Sequence, residues 1–445
     1  MNAEELLSLF REDVESRPDE FLQDYNKVKK EVEDSSARYM GEPIEFLYQP
    51  IFFTQDDLSW IEGVLTELTE ILNKTLEKYQ SDEDFRRIFP FSKKTEELIL
   101  ADPGYENPFP MARFDIFYDY DGGLKFCEFN TDGSAGMNEA RVLQDALYRS
   151  RALDAVPEDC EINYYNPMEN WIDTIVDIYH EYTGEVKAPE SIAIVDFQGE
   201  GINSEFQEYK KRFEERGYKT IIQDPRELEY DGENLLADSE RVDLVYRRAT
   251  THKIIERYEE VEPFLNAYRD GNVCVVGGFT SQIVHNKALF AILQEESYTD
   301  FLSEEEKDFI EEYIPFSRIF HEGDSALKNK LIEEKDKFLL KPFDKFAGHG
   351  VYVGADYEIE EWKKKVRKAQ GKNYIAQEFC DVPEKEFFYV KDGEYSFEKF
   401  GYLIGLFLYK QEINGLYTRV GRENVIASLV ECFTLPNFLV ENRDG

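Results

Sequence analysis

The stretch RFDIFYDYDGGLKFCEFNTDGSAGMNEARVL, Arg113 to Leu143, restricts the fold more than any other segment. It reads as two strands about a turn, followed by a helix. Side chains two apart share one face of a strand, so Arg113 sides with Asp115, and Glu128 with Asn130. DYDGG supplies a turn that can set the two strands in antiparallel pairing. One face would then carry a cation, two carboxylates and an amide. Converging acids repel unless a counter-ion joins them, and a divalent cation removes that difficulty. Oxygen-only donors (Asp115, Glu128 and the Asn130 carbonyl) suit Mg²⁺ or Mn²⁺ rather than zinc. Magnesium held by few protein oxygens fills its shell with water and phosphates, and Arg113 would face the same phosphates. The competing reading is an Arg–Asp–Glu ion-pair network on an exposed sheet face.

Around this hairpin, residues 1–100 look mainly helical. DDLSWIEGVLTELTEILNKTLEKY places Leu58, Ile61, Leu65, Leu68, Leu72 and Leu76 at the spacing of an amphipathic helix. From 186 the pattern changes: SIAIVDF, YKTIIQ, VDLVYRR and NVCVVGG read as short strands, with SEFQEYKKRFEERG a helix ended by Gly217. That order predicts a small βαβ lobe with a parallel sheet. SQIVHNKALFAIL reads as a helix, KFLLKPF, GVYVGA and NYIAQEF as strands, and YLIGLFLYKQEINGLYTRVG as long strands with a turn at Asn414-Gly415. A chain of 445 residues accommodates two or three domains. The expected division is 1–185 (helices plus the hairpin), 186–280 (the βαβ lobe) and 281–445.

Composition narrows the partners. The formal charge of −41 argues against nucleic acid or an anionic membrane, which bind through clustered Lys and Arg. An acidic surface serves solubility, or attracts a cationic small molecule such as a polyamine. The 28 tyrosines and 34 phenylalanines mark a globular chain, not an acidic disordered one. Five scattered cysteines without a CxxC pair suit reduced thiols in a cytoplasm rather than a disulfide frame or zinc site. The first residues lack a signal-peptide pattern and no window reaches the ~20 apolar residues of a membrane span, so a cytoplasmic protein is expected.

Three later stretches carry candidate chemistry. In KFLLKPFDKFAGHGVYVG, Lys341 closes an apolar strand before a loop holding Gly348 and Gly350, an arrangement suited to clamping phosphate although GxxxxGK[ST] is absent. His349 in that loop reads as a solvated residue. NYIAQEFCDVP, with Gln377 and Glu378, is a strand entering a Pro-bounded segment that can border a purine. NGLYTRVGRENVIAS sets Arg419 and Arg422 either side of Gly421, where they could equally balance nearby acids. Lys287, taken alone, is an ordinary helix lysine.

In this order the stretches resemble the glutathionylspermidine synthase family of ATP-grasp carboxylate–amine ligases, over roughly 105–430. RFD, EFNTDGSAGMNEA (against that family's E-x-N-A-D-T-P-x-x-x-x-E), LLKPF…GHGV, YIAQEF and GLYTRVGREN carry the likeness. It implies an α+β ATP-grasp ligase fold. It implies Asp115, Glu128 and Asn130 as ligands of one or two Mg²⁺ ions, with Mn²⁺ an alternative, and Arg113 as the arginine on the transferring phosphate. Lys287 and Lys341 match the lysines that hold ATP phosphates, and Gln377 and Glu378 lead to the adenine hinge. Arg419 matches the late arginine of the reaction centre, with Arg422 competing. The family's NADTP is here NTDGS, so the substrates of the family do not transfer, and no appended amidase-like Cys/His region is present. The implied reaction is amide formation from a small carboxylate and an amine, peptide or polyamine, through an acyl phosphate. The alternatives are a phosphotransferase and a non-catalytic nucleotide-binding protein.

Overall fold

Strands Met111–Asp119 and Gly123–Asn130 pair antiparallel, Arg113 opposite Asn130 and Asp115 opposite Glu128. They belong to a computed structural model that describes residues 2–119, 123–345, 348–426 and 431–443, so residues 120–122 of the turn lie outside the described residues. Phe114, Ile116, Phe126 and Phe129 are buried on the opposite face. Their burial fixes which side the charged residues take, because a one-residue slip would invert both faces. The register steps from Asp115–Glu128 to Ile116–Phe126, leaving Cys127 as the extra residue of a bulge.

This hairpin is one edge of a large antiparallel sheet. The order runs Phe433–Leu435, Glu412–Gly421, Glu394–Tyr409, Met111–Asp119, Gly123–Asn130, and Glu384–Lys391 pairs with the first half of Glu394–Tyr409. The sheet therefore joins segments nearly 300 positions apart in sequence. The expected turn at Asn414-Gly415 is not where the chain reverses. It reverses at Lys410–Gln411, both at positive φ, and Asn414-Gly415 lies inside a strand. A Cβ on Gly415 would come 2.7 Å from the Pro167 Cβ, so that glycine serves close packing.

The helix Gln55–Ser81 starts at a capping box made by Thr54 and Asp57. Its predicted apolar stripe, Leu58 through Leu76, is buried. The expected helix through 281–293 is broken: Gln282–His285 and Ala288–Ile292 are separate turns, and Asn286 between them is extended. The Lys287 N–H bonds the Phe343 carbonyl instead of continuing a helix, at 2.9 Å.

Two smaller sheets complete the frame of the site. Cys274–Val276, Leu244–Arg247, Ser191–Val195 and Lys219–Gln223 form a sheet, in that order, whose strands are all parallel. Ser317–Ile319, Tyr374–Glu378, Phe338–Pro342 and Tyr352–Val353 form an antiparallel one. No disulfide forms among the described residues, and none of their helices is long and apolar enough to cross a membrane.

Candidate active site

The three sheets surround a cavity of about 790 Å³. Its wall includes Arg113, Asp115, Glu128, Asn130, Lys287, Lys341, Gly348, Gly350, Gln377, Glu378 and Arg419. Every residue matched by the resemblance, the competing Arg422 apart, is thus brought to one space. Arg422 is not on that wall; it forms exposed ion pairs with Glu398 and Glu431.

Asp115 lies at the centre of the charged cluster and is 2% exposed. Arg113 Nε donates to its Oδ1 at 2.9 Å, Arg419 Nη2 to its Oδ2 at 2.7 Å, and the Asn130 amide to the same Oδ2 at 3.2 Å. Arg419 reaches Asp115 across an intervening strand, whose Gly405 pairs with Asp115 on one side and Tyr417 on the other. Glycine is required there: a Cβ would meet Arg113 Cδ at 2.9 Å and Asp115 Oδ1 at 3.1 Å. Burial opposes the charge on Arg419, but Asp115 reverses the effect and raises its pKa.

Lys287 Nζ stands 2.6 Å from Glu128 Oε1 and donates to the Lys345 carbonyl at 2.8 Å. Burial alone would raise the Glu128 carboxyl; Lys287, then Lys341 and His285, override it and hold the pKa at about 2. Lys341 extends from the small antiparallel sheet to the large one, where its Nζ donates to the Cys127 carbonyl at 3.0 Å. The bulge explains that acceptor, since the unpaired residue of a bulge leaves the ladder. Gln377 is buried with its amide on Ser317 Oγ at 2.9 Å, whereas Glu378 is exposed. Gly348 and Gly350 take positive φ, and residues 346 and 347 of the same loop lie outside the described residues.

Around Asp115 and Glu128 stand four cations (Arg113, Lys287, Lys341, Arg419), a locally positive cluster in a chain of −41. Among the described residues no group of three His, Cys, Asp or Glu side chains could by itself hold a metal. The donors present are all oxygen, which fits a hard cation that shares its shell with phosphate. Both Asp115 oxygens already accept hydrogen bonds, while the Asn130 side-chain oxygen, Oδ1, accepts none among the described residues.

The other half of the cavity went unmarked by the motifs. Asp196 follows strand Ser191–Val195 and Arg248 follows Leu244–Arg247, neighbouring parallel strands between which the order reverses, the usual crevice for ligands in such sheets. The NTDGSAG loop is tied to this lobe by the buried Arg247–Asp132 pair at 2.8 Å, and Arg113 Nη1 holds the Ala135 carbonyl at 2.7 Å. Glu139 and Tyr417 complete the wall, the Tyr417 hydroxyl donating to Glu139 Oε2 at 2.5 Å. A signal existed for both: Glu139 ends the E-x-N…E motif, and Tyr417 shares a strand face with Arg419. Nothing in the sequence ties Asp196 or Arg248 to the rest, because only the tertiary fold brings the lobe to the hairpin.

This mixed α/β architecture has a counterpart of similar fold among solved structures. A glutathione synthetase-like effector from Globodera pallida, 12% identical, matches with a TM-score of 0.58 over 94% of this chain and 96% of its own. A protein described as a γ-glutamylcysteine synthetase from Methylobacillus flagellatus, 10% identical, gives a TM-score of 0.43 over 84% and 88%. No family model and no curated protein sequence matches the chain. The likeness is one of fold.

Proposed function

We propose that the chain is an ATP-dependent carboxylate–amine ligase, similar to glutathionylspermidine synthases, acting on small molecules through an acyl phosphate. The observation that supports it best is the net-positive end of one cavity, built by four cations around two already paired carboxylates. A triphosphate tail is the anion such an end suits.

In this reading Lys287 and Lys341 hold the phosphates, the loop of Gly348 and Gly350 covers them, and the strand ending in Gln377 and Glu378 borders the base. Arg113 and Arg419 face the transferring phosphoryl group. Glu128 and the Asn130 carbonyl are the leading donors to Mg²⁺, with Asp115 orienting them. The ion, when bound, offsets the charge on the transferring group.

A substrate carboxylate oxygen attacks the γ-phosphorus, a new O–P bond forms, and ADP leaves. The amine nitrogen then adds to the acyl carbon and phosphate departs. Phosphorylation is needed because a carboxylate offers no leaving group better than oxide. The chain supplies positioning and charge neutralisation, which is most of what phosphoryl transfer demands.

The test is ATP turnover with a pool of acids and hydroxylamine. Hydroxamate together with ADP is expected. ADP with a stable phosphorylated product and no hydroxamate would make the chain a phosphotransferase. No ADP from any pool would leave only a nucleotide-binding protein.

A further inference from the structure

Most buried carboxylates around the cavity carry a cation. Asp115 holds Arg113 and Arg419, Asp132 holds Arg247, and Glu205 holds Arg248 at 3.3 Å. Glu139 does not. It is 7% exposed, lines the cavity, and forms no ion pair among the described residues. Among the described residues its carboxylate accepts one hydrogen bond, from the Tyr417 hydroxyl, and that phenol ring lies beneath both proposed reaction-centre arginines, 5.6 Å from the Arg113 guanidinium and 5.5 Å from that of Arg419. A buried carboxylate that lacks a cation is costly to ionise and holds a proton more readily. An amine substrate reaches its enzyme as an ammonium ion and must lose a proton before its nitrogen can attack.

Resting on the ligase reading above, we propose that Glu139 takes the proton from the incoming ammonium group and that Tyr417 holds its carboxyl toward the reaction centre. The ammonium N–H passes its proton to a Glu139 oxygen, and the freed nitrogen pair forms the C–N bond. The C–O bond to phosphate then breaks, and phosphate carries away the second nitrogen proton. The groups facing Glu139 are Tyr39 from the N-terminal region, Arg113 and Arg419 from the large sheet, Glu205 from the lobe, Tyr417, and Cys432. Burial dominates among them and, with Glu205, outweighs Tyr417 and the two arginines, so that the carboxyl titrates at about 7. A base is most effective when its pKa lies near the working pH.

Rival bases on the cavity wall sit less well. His252 is half exposed and paired with Glu256. Asp196 also lacks an ion pair, but it lies on the parallel lobe and its Oδ1 accepts its own neighbour's Phe197 N–H.

The experiment compares two nucleophiles, hydroxylamine, which is neutral at pH 7, and methylamine, which is protonated. Both are given with ATP, Mg²⁺ and a pool of L-amino acids and short peptides as acids. Glu139→Gln keeps an acceptor for Tyr417, so the fold is expected to survive. Its hydroxamate formation should change little, while methylamide formation falls on the order of 10²-fold and recovers as pH rises. Tyr417→Phe should give a smaller loss of the same kind. Equal losses with both nucleophiles, or no loss, would overturn the assignment; the same selective loss in Asp196→Asn but not Glu139→Gln would move the role to Asp196. If the wild-type chain makes neither product, the ligase reading falls and takes this inference with it. Hydroxamate and methylamide both formed without dependence on Glu139 remove the inference alone.

Discussion

The two ends of the cavity solve opposite electrostatic problems. At the hairpin end, Asp115 and Glu128 are each matched by a cation. At the lobe end, buried Glu139 and half-buried Asp196 have no cation partner among the described residues, and desolvation raises their carboxyls to about 7 and about 6. Burial is the largest influence on Glu128 too, yet Lys287 at 2.6 Å brings that carboxyl down to about 2. The same chemical group is thus shifted in opposite directions, depending on whether an ammonium group belongs to the protein. One end is prepared for an anion and the other for a cation.

The sharpest way to break this contrast is at Arg419. Arg419→Ala removes one of the two guanidinium groups on Asp115, and turnover of ATP is expected to drop by ~10³-fold, measured as ADP release. Thermal unfolding should also fall, because a buried acid losing a partner costs about 3–5 kcal/mol. Full activity in that variant would remove Arg419 from the chemistry. Lys341→Ala should weaken binding of a non-hydrolysable ATP analogue about tenfold or more by calorimetry while the fold persists. Unchanged affinity would detach the small sheet from the nucleotide.

Stability against pH sharpens the other end. Glu139 has a folded pKa near 7 against an ordinary 4.5, so its contribution is complete below 4.5 and is lost as pH rises through 7. The fall is on the order of 3 kcal/mol. Glu139→Gln should flatten this part of the curve in chemical denaturation between pH 4.5 and 7; an unchanged slope would mean that the carboxyl is solvated. Gly405→Ala, which crowds Arg113 and Asp115, should lower turnover more than stability. Arg422→Ala is expected to change turnover by less than about twofold, since its partners are exposed glutamates.

The hairpin was legible because period-two alternation and a turn define both its pairing and its charged face. Phe114 and Phe129 had to go inward, so Asp115 and Glu128 had to share the other side. Lys341, at the end of an apolar strand, was legible for the same local reason. The break beside Lys287 was not, because its cause is distant: the Phe343 carbonyl takes the N–H that a continuous helix would have used. Nor was the true reversal at Lys410–Gln411, where two non-glycine residues adopt positive φ and the nearby Asn-Gly pair is absorbed by packing against Pro167. Arg419 separated from Arg422 only once strand pairing put one inside and the other at the rim.

The Cys127 bulge carries a last consequence. Its carbonyl holds Lys341 much as the Lys345 carbonyl and Glu128 hold Lys287. An ammonium group has three N–H donors, so under the proposed function Lys341 could keep the Cys127 carbonyl while it takes a phosphate oxygen, and a bound nucleotide would tie the two sheets through one side chain.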